Sequence, residues 1–224
     1  MPTNKSPEPH NRFARRGIVV TAIIFLIIIL DQVLKIWVKT SFYLNEDLEI
    51  TSWFHLHFIE NNGMAFGMEF GPKIFLTLFR LVLAGGLIWI LWKIRRMPQV
   101  KTGFLICLAM IIAGAIGNII DCVFYGVIFN NPMPPEIATL FPEGGGYGTL
   151  FHGRVVDMLY FPLFSWTWPD WMPGVAGQQF LFFQPIFNLA DAAISVGMIV
   201  TLIFYPKQLT IPTTKKENET GDTE

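Results

Sequence analysis

Four apolar stretches, 18–38, 74–94, 103–124 and 185–205, are each long enough as a helix to cross a hydrocarbon layer of roughly 30 Å at about 1.5 Å per residue. Short of their cytoplasmic ends, every charged residue buried inside them falls at one depth. Basic residues that flank short loops stay on the cytoplasmic side. Lys5, Arg12, Arg15 and Arg16 precede the first stretch, Lys93, Arg95, Arg96 and Lys101 separate the second from the third, and Lys207, Lys215 and Lys216 follow the fourth. Between Thr40 and Pro72 there is no Lys or Arg, and between Tyr125 and Gln184 there is only Arg154. This asymmetry predicts both termini inside and both large loops outside.

Depth can then be counted. Asp31 and Lys35 come near the outer end of the first span, Arg80 near the outer start of the second, Asn118 and Asp121 near the outer end of the third, and Asn188 and Asp191 near the outer start of the fourth. A charge in lipid costs roughly 2.5–3.5 kcal/mol, so such residues are expected to face one another or water and to mark a functional site. An ion or proton pathway would also carry buried acids paired with Lys and Arg. It would need polar residues through the whole thickness, and the inner halves of these spans are apolar until their cytoplasmic ends.

The expected fold is an all-α membrane protein, one four-helix domain over 1–224, with a small extracytoplasmic β-sheet and long outer loops at 39–73 and 125–184. With 52% hydrophobic residues and a net charge of −1, composition gives no reason to invoke nucleic acid. The basic, then apolar N-terminus is read as a retained helix and not a cleaved signal, because the apolar run continues past Asp31 to Trp37 with no small-residue cleavage site. In the outer loops, Leu48, Ile50, Leu56 and Phe58 alternate with polar residues, which predicts short strands with a turn at Asn62 and Gly63. Residues 130–148, rich in Pro and Gly, read as a loop, and the Trp-rich segment 159–183 as one resting at headgroup level. The tail from about 213 is polar and expected to be disordered. Cys107 and Cys122, fifteen residues apart on one helix, would be roughly 22 Å apart, too far for a disulfide. The four His residues are scattered, so no metal site is expected.

Two carboxylates have the setting for chemistry. Asp191 lies one to two turns inside the fourth span with Asn188 at i−3 and Ser195 at i+4. Asp157 ends the strand-like run Gly153, Arg154, Val155, Val156. Two Asp side chains in a semi-dry site share a proton. Such a pair can deprotonate a water and polarise a peptide carbonyl without serine, cysteine or metal. Against this stand a loop carboxylate at Asp157 and, at Asp191, a helix cap or an ion pair with Arg80 or Lys35. Asn118 and Asp121, one turn apart beside the small residues Ala109, Ala113 and Gly117, read equally as an interhelical hydrogen-bond pair or as donors to a substrate. Asp31 and Lys35 form an i, i+4 pair in the favourable order, read first as structural.

Taken in order, Asp31, Gln32 and Lys35, then Asn61, Gly63, Ala65 and Phe66, then Gly114, Gly117, Asn118 and Asp121, then Val155, Val156 and Asp157, then Phe187, Asn188, Ala190, Asp191 and Ile194 resemble the lipoprotein signal peptidases, or signal peptidase II. These are integral-membrane aspartyl proteases of bacteria. The resemblance implies that Asp157 and Asp191 are a catalytic dyad, supported by Asn61, Asn118, Asp121 and Asn188. Asp31 and Lys35 are carried as further supporting residues. The implied substrate is a prolipoprotein whose cysteine carries diacylglyceryl, cut just before that cysteine. The implied setting is the inner membrane, with the site on its outer side, membrane lipid around it, no cofactor, and a monomer as the acting species. Where the family usually has Arg after the Asp matching Asp121, this chain has Cys122, and Arg154 is read as a partial substitute.

Overall fold

The structure, a computed structural model, describes residues 9–61 and 73–210, with side chains from residue 13 onward. Its elements in chain order are α1 (Pro9–Lys39), β1 (Asp47–Thr51), β2 (Phe54–Asn61), α2 (Lys73–Ile94), α3 (Thr102–Ile120), a π-helical turn at Asp121–Tyr125, α4 (Gly126–Ile128), β3 (Val155–Tyr160), β4 (Phe164–Thr167), β5 (Gln179–Phe182), β6 (Ile186–Phe187) and α5 (Leu189–Phe204). Among the described residues three helical stretches, Phe13–Lys39, Lys73–Ile94 and Thr102–Ile128, are long and apolar enough to cross a membrane. Their outward residues are apolar as well. Phe25, Leu26, Phe75, Phe79, Val82 and Phe124 are exposed, an arrangement that suits lipid and not water.

Helix α3 occupies the centre, packed against α1, α2 and α5. Two glycines permit its close approach to α5. A Cβ on Gly114 would lie 2.2 Å from the Ala190 carbonyl oxygen, and one on Gly117 would lie 3.2 Å from the Ala190 Cβ and 2.7 Å from Asp31 Oδ2. Towards one end of the bundle, Val20, Leu91, Ile94, Phe104, Leu105 and Leu108 form an apolar core. At the other, Val38, Phe42, Phe58, Tyr125, Phe129, Val156 and Met158 join the helices to the sheet.

The sheet has the order β1-β2-β3-β6, with every neighbouring pair antiparallel. The expected strands around Leu48 to Phe58 are present, joined by a tight turn between Thr51 and Phe54. The turn read at Asn62 and Gly63 lies outside the described residues.

The fourth apolar stretch differs from its expected boundaries of 185–205. Ile186 and Phe187 pair with Tyr160 and Leu159 as β6, and the helix begins only at Leu189. Asn188 imposes that boundary, because its extended backbone and its side-chain acceptor to the Asp191 N–H form an N-cap. Helix α5 has 16 residues, about 24 Å of rise. The Trp-rich segment is also more regular than its sequence suggested. Phe164 and Trp166 stack on Phe182 and Phe180 across the β4–β5 hairpin, with ring centroids 4.7 and 4.3 Å apart.

The loop 129–153 is tied to the end of the third helical stretch. Helix ends leave carbonyls without intrahelical partners. Here the Cys122 carbonyl accepts from Gly153 N–H at 2.9 Å, Val123 from Phe151 at 3.1 Å, and Gly126 from Gly148 at 2.8 Å. Gly153 is required at the closest point, where a Cβ would lie 2.0 Å from the Asp121 carbonyl oxygen. The chain therefore enters β3 directly above Asp121.

Candidate active site

Asp157 lies inside β3 and not at its end, and it is almost fully buried. Strand alternation explains its neighbours. Ile59 is opposite Asp157 and Asn61 opposite Val155, which places Asn61 diagonally beside Asp157 on one face of the sheet. The Asn61 amide donates to Asp157 Oδ2. From the other side, Asn188 Nδ2 donates to Asp157 Oδ1 at 2.6 Å.

Asp191 is in the first turn of α5, closer to the helix end than its position in the apolar stretch suggested. A carboxylate is favourable there because the first N–H groups of a helix carry partial positive charge. Its backbone N–H donates to Asn188 Oδ1 at 2.9 Å, and Asn118 Nδ2 donates to its Oδ1 at 2.7 Å. The Asn188 amide also reaches Asn118 Oδ1 at 3.0 Å and the Val156 carbonyl at 3.3 Å. Asn118 and Asn188 thus connect the two carboxylates. Burial, and next the negative charge of Asp191, push the Asp157 carboxyl up to about 7.

A buried ionic cluster supports this pair. Lys35 Nζ lies 2.9 Å from Asp31 Oδ2 and 2.8 Å from Asp121 Oδ2, and it donates to Asn118 Oδ1 at 2.8 Å. Asp31 Oδ1 accepts the Ala190 N–H at 2.9 Å, which satisfies another free donor at the start of α5. Asp121 accepts from Gln32 Nε2 at 3.0 Å and from the Val156 N–H at 3.3 Å. Tyr125 completes the cluster by donating to Gln32 Oε1 at 3.1 Å. The cluster therefore holds α1, α3, β3 and α5 in one register. Asp191 pairs with Asn118, and among the described residues no ion pair joins it to Arg80 or Lys35.

Arg154 makes its contacts away from the two carboxylates. It lies three residues before Asp157, an odd offset that turns it to the opposite side of the strand. Its guanidinium reaches Glu60 Oε2 and Asn131 Oδ1, each at 3.3 Å, and lies over the Tyr147 ring. A different arginine meets Cys122. Arg80 Nη1, brought by α2, is 3.3 Å from the Cys122 sulfur. Both cysteines are free and buried.

A second buried ion pair carries no signal in the chain's pattern. Lys39 and Glu60 are bonded under Phe129, Tyr147 and Phe58, with the Lys39 ammonium 5.1, 5.4 and 5.9 Å from the three ring centroids. Lys39 ends a helix at a membrane boundary, where a lysine reaching for water looks the same in sequence. Among the described residues, no set of His, Cys, Asp or Glu side chains is grouped to hold a metal ion.

Two carboxylates joined by amides at the junction of an apolar helical bundle and a sheet are an arrangement able to do acid–base chemistry at a membrane. Comparison gives the particular family. Residues 23–206 match the family described as signal peptidase (SPase) II. The lipoprotein signal peptidase of Porphyromonas gingivalis is 52% identical over 196 residues, covering 88% of this chain and 86% of that protein. That of Amoebophilus asiaticus is 36% identical over 195 residues, covering 84% and 77%. In fold, the chain is similar to a bacterial membrane enzyme solved by the in meso method at 2.3 Å resolution, with a TM-score of 0.57 and 20% identity over 89% of this chain and 93% of that one. The chain belongs to the signal peptidase II family and is a membrane peptidase.

Proposed function

We propose that this peptidase removes the signal peptide from diacylglyceryl-modified prolipoproteins by cutting before the lipidated cysteine, with Asp157 and Asp191 as the catalytic dyad. The observation that carries the reading is the amide pair Asn118–Asn188, which holds one oxygen of each carboxylate. The ionised Asp takes a proton from a water as that water attacks the scissile carbonyl. The protonated Asp gives its proton to the carbonyl oxygen, forming a neutral tetrahedral diol. Collapse returns that hydroxyl proton to one carboxylate while the other protonates the departing nitrogen, so the C–N bond breaks and the dyad again holds one proton. Burial and the Asp191 charge favour Asp157 as the resting holder of that proton.

Asn61, Asn188 and Asn118 orient the carboxylates, and Asp31, Lys35 and Asp121 hold those amides in place. The proposed topology has four crossings, both termini in the cytoplasm and the sheet on the outer side of the bacterial inner membrane, with α5 entering the bilayer directly from β6. The cations at the ends of α1, α2, α3 and α5 opposite the sheet support it. A lipid anchor on the cysteine keeps the scissile bond near the membrane surface, at the level of the dyad, and the proposed acting species is one chain with no cofactor.

The test is cleavage of a diacylglyceryl-modified prolipoprotein peptide by the purified chain and by Asp157→Asn and Asp191→Asn. Each variant is expected to lose about 10³-fold or more while remaining folded in the membrane. Mass spectrometry of the wild-type product should show the lipidated cysteine at its N-terminus. Near-normal turnover in either variant would overturn the dyad, and an unlipidated peptide cut equally well would overturn the substrate.

A further inference from the structure

We propose that the end of the bundle opposite the dyad holds a site for an anionic phospholipid, its phosphate on Arg95 and Arg96 and its acyl chain along the α1 face that carries Phe13, Ile18 and Ala22. A cavity of about 670 Å³ opens there, walled by Phe13, Ala14, Ile18 and Ala22 of α1 and reached by Arg95 and Arg96 immediately after α2. Small residues on α1 leave this space. The Arg95 guanidinium lies against Gly17, where an added Cβ would be 3.5 Å from Nη1. Arg95 Nε is buried and has no hydrogen-bond partner among the described residues, a costly arrangement for a cation unless an acceptor fills the cavity.

Charge identifies the class of acceptor. The described parts of the chain at this end, 9–30, 81–115 and 192–210, contain no Asp or Glu, whereas Arg15, Arg16, Lys93 and Lys101 add to its positive field. No described carboxylate at this end competes for the guanidinium groups. A free phosphate would satisfy the arginines but leave the apolar walls uncovered. A phospholipid satisfies both, because a basic pocket beside an apolar helix face at the membrane interface matches an anionic headgroup followed by a chain. Arginine suits this role better than lysine because its planar fork binds two phosphate oxygens.

Native mass spectrometry of the full chain, released from micelles holding equal amounts of phosphatidylglycerol and phosphatidylcholine, tests the site. The wild-type chain should retain one phosphatidylglycerol with about tenfold or greater preference. Arg95→Gln/Arg96→Gln should reduce the preference to about one, whereas Arg15→Gln/Lys101→Gln should retain it. The first variant should still cleave substrate normally, which reports its folding. If it does not fold, the wild-type preference alone decides. Equal retention of both lipids, a preference that survives in Arg95→Gln/Arg96→Gln, or displacement of the lipid by millimolar inorganic phosphate would overturn the proposal.

Discussion

Asn188 Nδ2 lies 2.6 Å from Asp157 Oδ1 while Asn188 Oδ1 accepts the Asp191 N–H at 2.9 Å, so one amide both orients the first carboxylate and caps the helix that carries the second. Asn188→Ala is therefore expected to lower two quantities together. Loss of the cap should cost about 1 kcal/mol in thermal unfolding. Loss of the bridge should reduce cleavage about 10²-fold, more than the stability change explains. Asn188→Ser, which caps but does not bridge, should restore stability without restoring cleavage.

The Asp157 carboxyl keeps its proton up to about pH 7 in the folded chain and releases it near 3.8 when unfolded. If the working dyad holds one proton, cleavage should fall above about pH 7, approaching tenfold per unit. Stability should respond with the opposite preference to that of an ion-paired carboxylate. Between about pH 4 and 7 the folded state binds more protons than the unfolded state, so the Asp157 contribution declines as pH rises. Unfolding temperatures at pH 4.5 and 7.5 should therefore differ less in Asp157→Asn than in wild type.

Lys35 is fully buried between Asp31 and Asp121. Lys35→Met should destabilise the chain by about 3–5 kcal/mol, because two buried carboxylates lose their counter-charge. Reduced yield and a lower unfolding temperature in detergent are the measurements. The variant Asp31→Asn/Lys35→Met, which removes one carboxylate with its partner, should recover part of the loss.

Gly114 determines how closely α3 approaches α5. A methyl group there would lie 2.2 Å from the Ala190 carbonyl oxygen, so Gly114→Ala should separate the helices at a cost of about 1–3 kcal/mol. Asn118, one turn further along α3, would move away from Asp191, and cleavage should fall more than substrate affinity. Separate measurement of kcat and KM distinguishes this from weaker binding.

Arg154 contacts Glu60 and Asn131 on the side of β3 away from Asp157. Arg154→Ala should retain cleavage within about threefold, as expected for a partly exposed ion pair. A loss comparable to that of Asp157→Asn would place the guanidinium in the reaction after all.

Much of this architecture was legible in the chain. Membrane-length apolar stretches leave few foldings, and the shared depth of Asp31, Lys35, Asn118, Asp121, Asn188 and Asp191 pointed to a common site because isolated polar groups are expensive in lipid. The site unites these residues, whereas Arg80, counted at the same depth, meets Cys122 instead. The start of α5 was not legible, because hydropathy rates Ile186 and Phe187 alike whether they extend a helix or pair with β3. The β4–β5 hairpin was hidden for a related reason, since its alternating aromatic residues also suit an irregular segment at headgroup level.

The sequence by itself determined which residues belong at the polar level, since that depends on helical rise and the cost of charge in lipid, both local properties. Only the tertiary structure decided which of them touch. Arg154 and Asp157 are near neighbours in the chain yet face opposite ways because strand side chains alternate, whereas Asn61 and Asp157 are far apart in the chain and bonded through the β2–β3 register. Lys39 and Glu60 likewise pair across the junction of α1 and β2, under the Tyr147 ring of the loop whose end is tied to the carbonyls of the π turn. Register and crossing distance are set by contacts between segments distant in sequence, and no single segment encodes them.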